Sequence, residues 1–179
     1  MIDQQKREIR KQIRKLKKEY TIEQRKAKSE IIINKIETLP IFKEAEVVMA
    51  YWSMDDEVFT PDFILKHCTQ KQIILPAVKG DILELKKFES LNDLQKGEQF
   101  GINEPVGENY GSPEKIDLII IPGVAFDSEN NRLGRGKAYY DKLLKQTKAF
   151  KLGICFDFQM VDKVPTDKYD IKMDKVVSD

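Results

Sequence analysis

The run Leu118-Ile119-Ile120-Ile121, followed at once by Pro122-Gly123, restricts the fold of this chain more than any other stretch. Four consecutive large apolar residues, three of them β-branched, read as a strand buried on both faces. Such strands belong to parallel sheets covered by helices on each side. Similar runs recur at residues 47–51, 73–77, 152–155 and 175–177, and a more alternating one at 82–88. Helical signals lie between them. Thr60-Pro61 opens a helix, with Thr60 as its cap and Pro61 at the first helical position, and another helix is expected from about Lys137 to Lys145. Upstream, Ile9, Ile13, Leu16 and Tyr20 recur at helical spacing, which predicts an amphipathic helix over residues 3–19. Thr21-x-x-Gln24 has the form of a capping box and starts a second helix that runs to about Thr38, where Leu39-Pro40 ends it. Residues 92–115 carry four glycines and little periodicity and read mostly as loop. The expectation is an α/β fold: one domain, residues 1–179, built as a three-layer sandwich around a mainly parallel sheet and preceded by two N-terminal helices.

Composition narrows the function. With 179 residues, 41% apolar and 34% charged, the chain is an ordinary globular protein with a proper core. Its net charge is +1, yet residues 1–30 hold 11 Lys/Arg against 5 Asp/Glu, so the remainder is net acidic. Nucleic-acid binding is conceivable only for the N-terminal arm, which lacks interleaved aromatics, and none is expected. No run approaches the roughly 18 apolar residues of a membrane span, and the N-terminus lacks the apolar core of a secretory signal. Cys68 and Cys155 are far apart among apolar neighbours and read as reduced thiols, so a cytoplasmic protein is expected. A single histidine, His67, argues against a histidine-built zinc site or a Ser-His-Asp triad. Any chemistry then falls to carboxylates, cations, or a bound metal and nucleotide.

The segment Asn130-Asn131-Arg132-Leu133-Gly134-Arg135-Gly136-Lys137-Ala138-Tyr139-Tyr140-Asp141 follows the best strand and precedes a helix. It therefore belongs at the carboxyl edge of the sheet, where open α/β folds bind ligands. Free N–H groups at a helix start suit phosphate. Gly134 and Gly136 would allow close backbone approach, and Arg132, Arg135 and Lys137 would add charge-assisted bonds. It is neither a GxxxxGK[ST] loop nor a dinucleotide fingerprint, and a solvated turn with clustered cations is the alternative. Asp141 could ligate Mg²⁺ or simply favour the helix dipole; Asp170 and Asp174 are similar candidates, or ordinary loop residues. Beyond the first strand, Trp52 could stack on a flat ring and Glu57 hold its polar nitrogens, or the pair could be a half-buried tryptophan in a charged loop. Lys6 and Arg10, one turn apart on the first helix, offer a second anionic contact.

Taken together these pieces resemble the 5-formyltetrahydrofolate cyclo-ligase (5,10-methenyltetrahydrofolate synthetase) family. The resemblance rests on Lys6-x-x-x-Arg10, the segment from Tyr51 to Glu57, Pro122-Gly123-Val124-Ala125-Phe126-Asp127, the segment from Asn131 to Asp141, and Asp170-x-x-x-Asp174. One departure is Ala138, where the family usually has glycine. The resemblance implies ATP- and Mg²⁺-dependent closure of 5-formyltetrahydrofolate to the 5,10-methenyl form through an imidate phosphate, giving ADP and phosphate. It further implies that Lys6, Arg10 and Arg132, Leu133, Gly134, Arg135, Gly136, Lys137, Ala138, Tyr139 and Tyr140 hold ATP, with Arg135 and Lys137 on the transferring phosphoryl. Asp141 and Asp170, and Asp174 beside them, would serve Mg²⁺. Trp52, Glu57, Phe100 and the segment from Arg135 to Tyr139 would hold the folate. The implied partners are small molecules, a reduced folate and ATP, acted on by a monomer. A small phosphotransferase working on another amide or acid is the rival reading.

Overall fold

A computed structural model of the chain describes residues 1–97 and 102–179; Phe100 therefore lies outside the described residues. Two helices lead, α1 (Ile2–Lys17) and α2 (Ile22–Thr38). The capping box is present: the Thr21 hydroxyl accepts from the Gln24 N–H while the Gln24 side chain accepts from the Thr21 N–H. Pro40 ends α2 and also opens a five-residue helix, α3 (Pro40–Glu44), because a ring at the first helical position costs no hydrogen bond.

Strands β1 (Val47–Met49), β2 (Gln72–Lys79), β3 (Ile82–Phe88), β6 (Leu118–Ile121), β9 (Phe150–Ile154) and β10 (Lys175–Val177) form one sheet in the order β10-β9-β6-β1-β2-β3. All pairs are parallel except β2–β3, a hairpin that closes one edge. The β6 run is central and wholly buried, as a continuous apolar stretch requires. Alternate residues serve opposite faces. Val48, Ile73, Leu75, Leu118 and Ile120 pack under α2, α3 and α4 (Pro61–His67), while Met49, Ile74, Ile119 and Ile121 pack with Phe126 and with α5 (Tyr139–Leu144). The three-layer α/β arrangement stands. A third, smaller cluster joins Ile13 of α1 to Ala125, Leu133 and Val164.

Three local expectations are refined. Thr60 stands at the N-cap position of α4 but its side chain makes no cap bond; its hydroxyl donates to the Tyr51 carbonyl at 2.5 Å and accepts from the Ser53 N–H, satisfying buried groups of the loop after β1. Residues 92–115 read as mostly loop, and among the described ones regular structure interrupts it. They contain a two-stranded antiparallel sheet, β4 (Leu94–Lys96) with β5 (Asn103–Pro105), too short to show periodicity. A further two-residue hairpin, β7 (Ala125–Phe126) with β8 (Arg132–Leu133), precedes α5, which begins only at Tyr139 because Ala138 adopts a left-handed conformation. Cys68 and Cys155 are free, and burial pushes the Cys155 thiol up to about 12.

Candidate active site

The order in which strands are added reverses between the parallel neighbours β1 and β6: β2 lies beyond one and β9 beyond the other. At such a switch point the loops leaving the carboxyl ends of neighbouring strands part and leave a crevice. Here the crevice is a cavity of about 820 Å³. The loop after β1 contributes Trp52 and Glu57 to it, and the loop after β6 contributes Pro122 and Gly123. The segment from Arg132 to Asp141 forms its floor, α1 reaches over with Lys6 and Arg10, and the apolar end of the β2–β3 hairpin closes the far side. Sequence elements as distant as residues 6 and 170 thus face one space.

Arg132 is the organising side chain of the floor. It is 5% exposed, donates from Nη1 to the Pro122 carbonyl at 3.0 Å and from Nη2 to Asp141 Oδ2 at 3.4 Å, and lies 5.4 Å from the Tyr140 ring. Among the described residues its Nε finds no partner. Burial pulls its pKa down, against the pull of the Asp141 charge. The role of Gly134 follows: a Cβ there would sit 3.1 Å from Arg132 Nη1, so the missing side chain makes room for the guanidinium. Gly136 differs, since its φ of +104° demands glycine while a Cβ would meet only Arg10 at 3.7 Å. Arg10 holds the same loop, donating from Nε to the Gly134 carbonyl at 2.9 Å. Leu133 packs its side chain into the small core under α1 and also lines the cavity.

Opposite the floor, Glu57 is 11% exposed, and desolvation raises its pKa. Its Oε2 accepts the Met54 N–H at 2.9 Å, and its Oε1 accepts from Arg135 at 3.1 Å. Arg135 also reaches Asp56, which Lys17 of α1 holds at 3.1 Å. Asp56 was missed at the sequence level because it is one of three consecutive acids with nothing to single it out. Trp52 is half-buried, packs 5.8 Å from Phe88 and lines the cavity. Lys137 is exposed at the cavity edge. Tyr139 donates from its hydroxyl to the Gly80 carbonyl, and Lys142 to that of Asp81, clamping the hairpin tip to α5.

A model of the 5-formyltetrahydrofolate cyclo-ligase family matches residues 2–179. The chain belongs to that family. A 5-formyltetrahydrofolate cyclo-ligase of Haemophilus influenzae is 30% identical, the match covering 97% of each chain, and the mouse protein of that name is 29% identical over 98% of this chain and 94% of its own. The solved structure of a 5,10-methenyltetrahydrofolate synthetase from Aquifex aeolicus is 39% identical with a TM-score of 0.85, covering 96% of this chain and 88% of that one. One from Mycoplasma pneumoniae is 25% identical with a TM-score of 0.78, covering 97% and 98%. As a member of the cyclo-ligase family the chain is an enzyme, a ligase.

The residues that the cyclo-ligase resemblance assigned to metal do not all come together. Asp141 and Asp170 both line the cavity, and Asp141 Oδ1 accepts the N–H of Ile171, the neighbour of Asp170. Asp174 stands at the amino end of β10, on the opposite edge of the sheet. There it accepts the Lys151 N–H at 2.7 Å and pairs with the Lys151 ammonium. Four residues carry the chain from one edge to the other, a distance that helical spacing would not span. Among the described residues no group of three or more His, Cys, Asp or Glu gathers as a metal cage. Two carboxylates still fit Mg²⁺, a hard ion that takes one or two of them and completes its shell with phosphate oxygens and water. The cluster also contains Asp167, 3.0 Å from the Lys6 ammonium, which sequence reading overlooked. Its three-residue spacing from Asp170 in a proline-started loop was the only available signal. No helix of the described residues is long and apolar enough to cross a membrane.

Proposed function

We propose that this protein closes 5-formyltetrahydrofolate to 5,10-methenyltetrahydrofolate with ATP as co-substrate and Mg²⁺ as cofactor, releasing ADP and phosphate. The observation that carries the reading is a single cavity faced by cations on one side and by Trp52 and Glu57 on the other. Its volume is within the range of small-molecule sites. A formamide oxygen is a poor leaving group, so the γ-phosphoryl is transferred to it, giving an imidate phosphate. The neighbouring amine nitrogen then attacks the formyl carbon, and the oxygen departs with the phosphate. Such transfers ask the protein for position and charge rather than covalent help.

In this reading Lys6, Arg10 and the segment from Arg132 to Tyr140 hold ATP, most of Arg132's part being to brace the loop from beneath. Arg135 and Lys137 stabilise the moving phosphoryl. Glu57 orients the pterin and, through its pair with Arg135, joins the folate wall to the phosphate loop; Trp52 gives the ring a flat support. Asp141 and Asp170 hold Mg²⁺, which when bound neutralises charge on the phosphate oxygens. A monomer formed of one domain, residues 1–179, in a reducing cytoplasm suits the two free thiols. The test is a spectrophotometric assay with 5-formyltetrahydrofolate and Mg²⁺, with and without ATP, following the near-ultraviolet band of the methenyl product. A band that needs ATP is expected. ATP turnover indifferent to the folate would replace this reading with a phosphotransferase acting on another amide or acid.

A further inference from the structure

Lys6 is the least expected cation in the molecule. It sits on α1, 9% exposed, and spans 161 and 164 residues of sequence to place its ammonium 3.0 Å from Asp167 Oδ2 and 2.5 Å from Asp170 Oδ2. The acids are themselves connected, since Asp170 Oδ2 also accepts the Asp167 N–H at 2.9 Å. Asp167 is steadied in turn by the Tyr169 N–H on its Oδ1. Lys6 thus places its amino group on an oxygen of the carboxylate read above as a metal ligand.

We propose that Lys6 is a resident counter-ion that keeps a divalent metal off Asp170 until nucleotide arrives, and that Asp167 is a positioning residue that retains Lys6 once it is displaced. This rests on the reading of Asp141 and Asp170 as the Mg²⁺ ligands. A divalent ion approaching Asp170 alone meets a positive charge already on the same oxygen, and at such separations the repulsion is large. A triphosphate reverses the balance. Its oxygens draw the ammonium, which lines the same cavity, and Asp167 remains as its second partner. Asp170 is then freed. Metal and nucleotide therefore bind cooperatively, each improving the affinity for the other by the same factor. The site stays charge-compensated in both states, since each acid keeps a cation beside it.

The test is a Mn²⁺ titration followed by electron paramagnetic resonance, without nucleotide, which reads metal affinity and not turnover. Lys6→Met is expected to bind Mn²⁺ about tenfold or more tightly than wild type, and Asp170→Asn in that background to lose the gain. Lys6→Gln, a polar replacement of similar length, is expected to move the same way, so the result does not depend on one variant folding. Unchanged or weaker Mn²⁺ binding in the Lys6 variants, with Asp170→Asn still weakening it, overturns the counter-ion role and keeps the metal reading. Indifference to Asp170→Asn in every background overturns the metal reading and the proposal with it. For Asp167, the gain in Mn²⁺ affinity on adding a non-hydrolysable ATP analogue is expected to shrink in Asp167→Asn and return in Asp167→Glu. An undiminished gain in Asp167→Asn removes it from the device.

Discussion

Ala138 offers the sharpest test of how the glycine loop is built. The structure gives it φ +55° and ψ +19°, a left-handed conformation. In that region a Cβ crowds the following carbonyl, at about 1–2 kcal/mol. Replacing Ala138 by glycine removes this strain but enlarges the freedom of the unfolded chain, at about 0.4–1 kcal/mol. The balance is a net stabilisation of roughly 0.5–1 kcal/mol, or about 2 °C in melting temperature for a chain of this size. The residue is exposed, so a lost methyl contact does not obscure the result. Valine should act in the opposite direction. A β-branched side chain is a genuine outlier at positive φ, and Ala138→Val is expected to lose more than about 1 kcal/mol. Thermal melts by circular dichroism on the three proteins, at one pH and salt concentration, are enough. The order glycine above alanine above valine is expected. A glycine variant melting at or below wild type, with valine no lower, would show that the loop relaxes around residue 138 and that the strain argument is wrong.

Other positions test other layers of the reasoning. Gly153 faces the ring of Phe126 across the sheet, where a Cβ would lie 2.5 Å from Phe126 Cε1. Gly153→Ala should therefore cost about 1–3 kcal/mol by overpacking, and an unchanged denaturant midpoint would refute that close approach. Asp127 is buried and accepts the N–H groups of Glu129, Asn131 and Val164 and the amide of Asn131. Burial opposes its ionised form, but these bonds win and hold its pKa low. Its stability contribution is then present above the ordinary carboxylate range and lost as pH falls through the lowered value. Asp127→Asn should melt lower at neutral pH and show a flatter acid limb; parallel curves would exclude the mechanism.

Glu57 has the opposite sign, since desolvation raises its pKa. What it contributes is present below its ordinary range and lost as pH rises through the raised value. Ligand-free Glu57→Gln should melt higher than wild type near pH 8 and converge with it near pH 4, while its KM for folate rises far more than that for ATP. Equal KM effects would mark a structural residue. Arg135→Ala and Lys137→Ala should each cut turnover by about two orders of magnitude or more with the melt intact, and near-normal rates in both would remove them from the phosphoryl's path.

Much of this protein is written locally. The capping box at Thr21, the apolar run at 118–121 and the helical stripe of Ile9, Ile13 and Leu16 each depend on neighbours a few residues away, and each element appears where periodicity places it. The order of motifs likewise puts Trp52, Glu57 and the segment from Arg132 to Asp141 after strands, hence on one edge of a parallel sheet. What neighbours cannot encode is which distant groups meet. Arg132 read as one of three like cations, with Arg135 and Lys137, and only packing makes it the buried strut beneath the loop, its guanidinium filling the space that Gly134 leaves open. Asp170 and Asp174 looked equivalent at four residues apart, yet the chain between them is not helical and crosses to the other edge of the sheet. Lys6 meets Asp167 and Asp170 only because the small cluster of Ile13, Ala125, Leu133 and Val164 seats α1 beside that loop. The sequence by itself determined the elements, their layering and the motif-bearing edge, since these follow from short-range periodicity and strand direction. The tertiary structure alone decided which charges are buried, paired or free to act, because burial and pairing depend on packing between residues that sequence spacing does not relate.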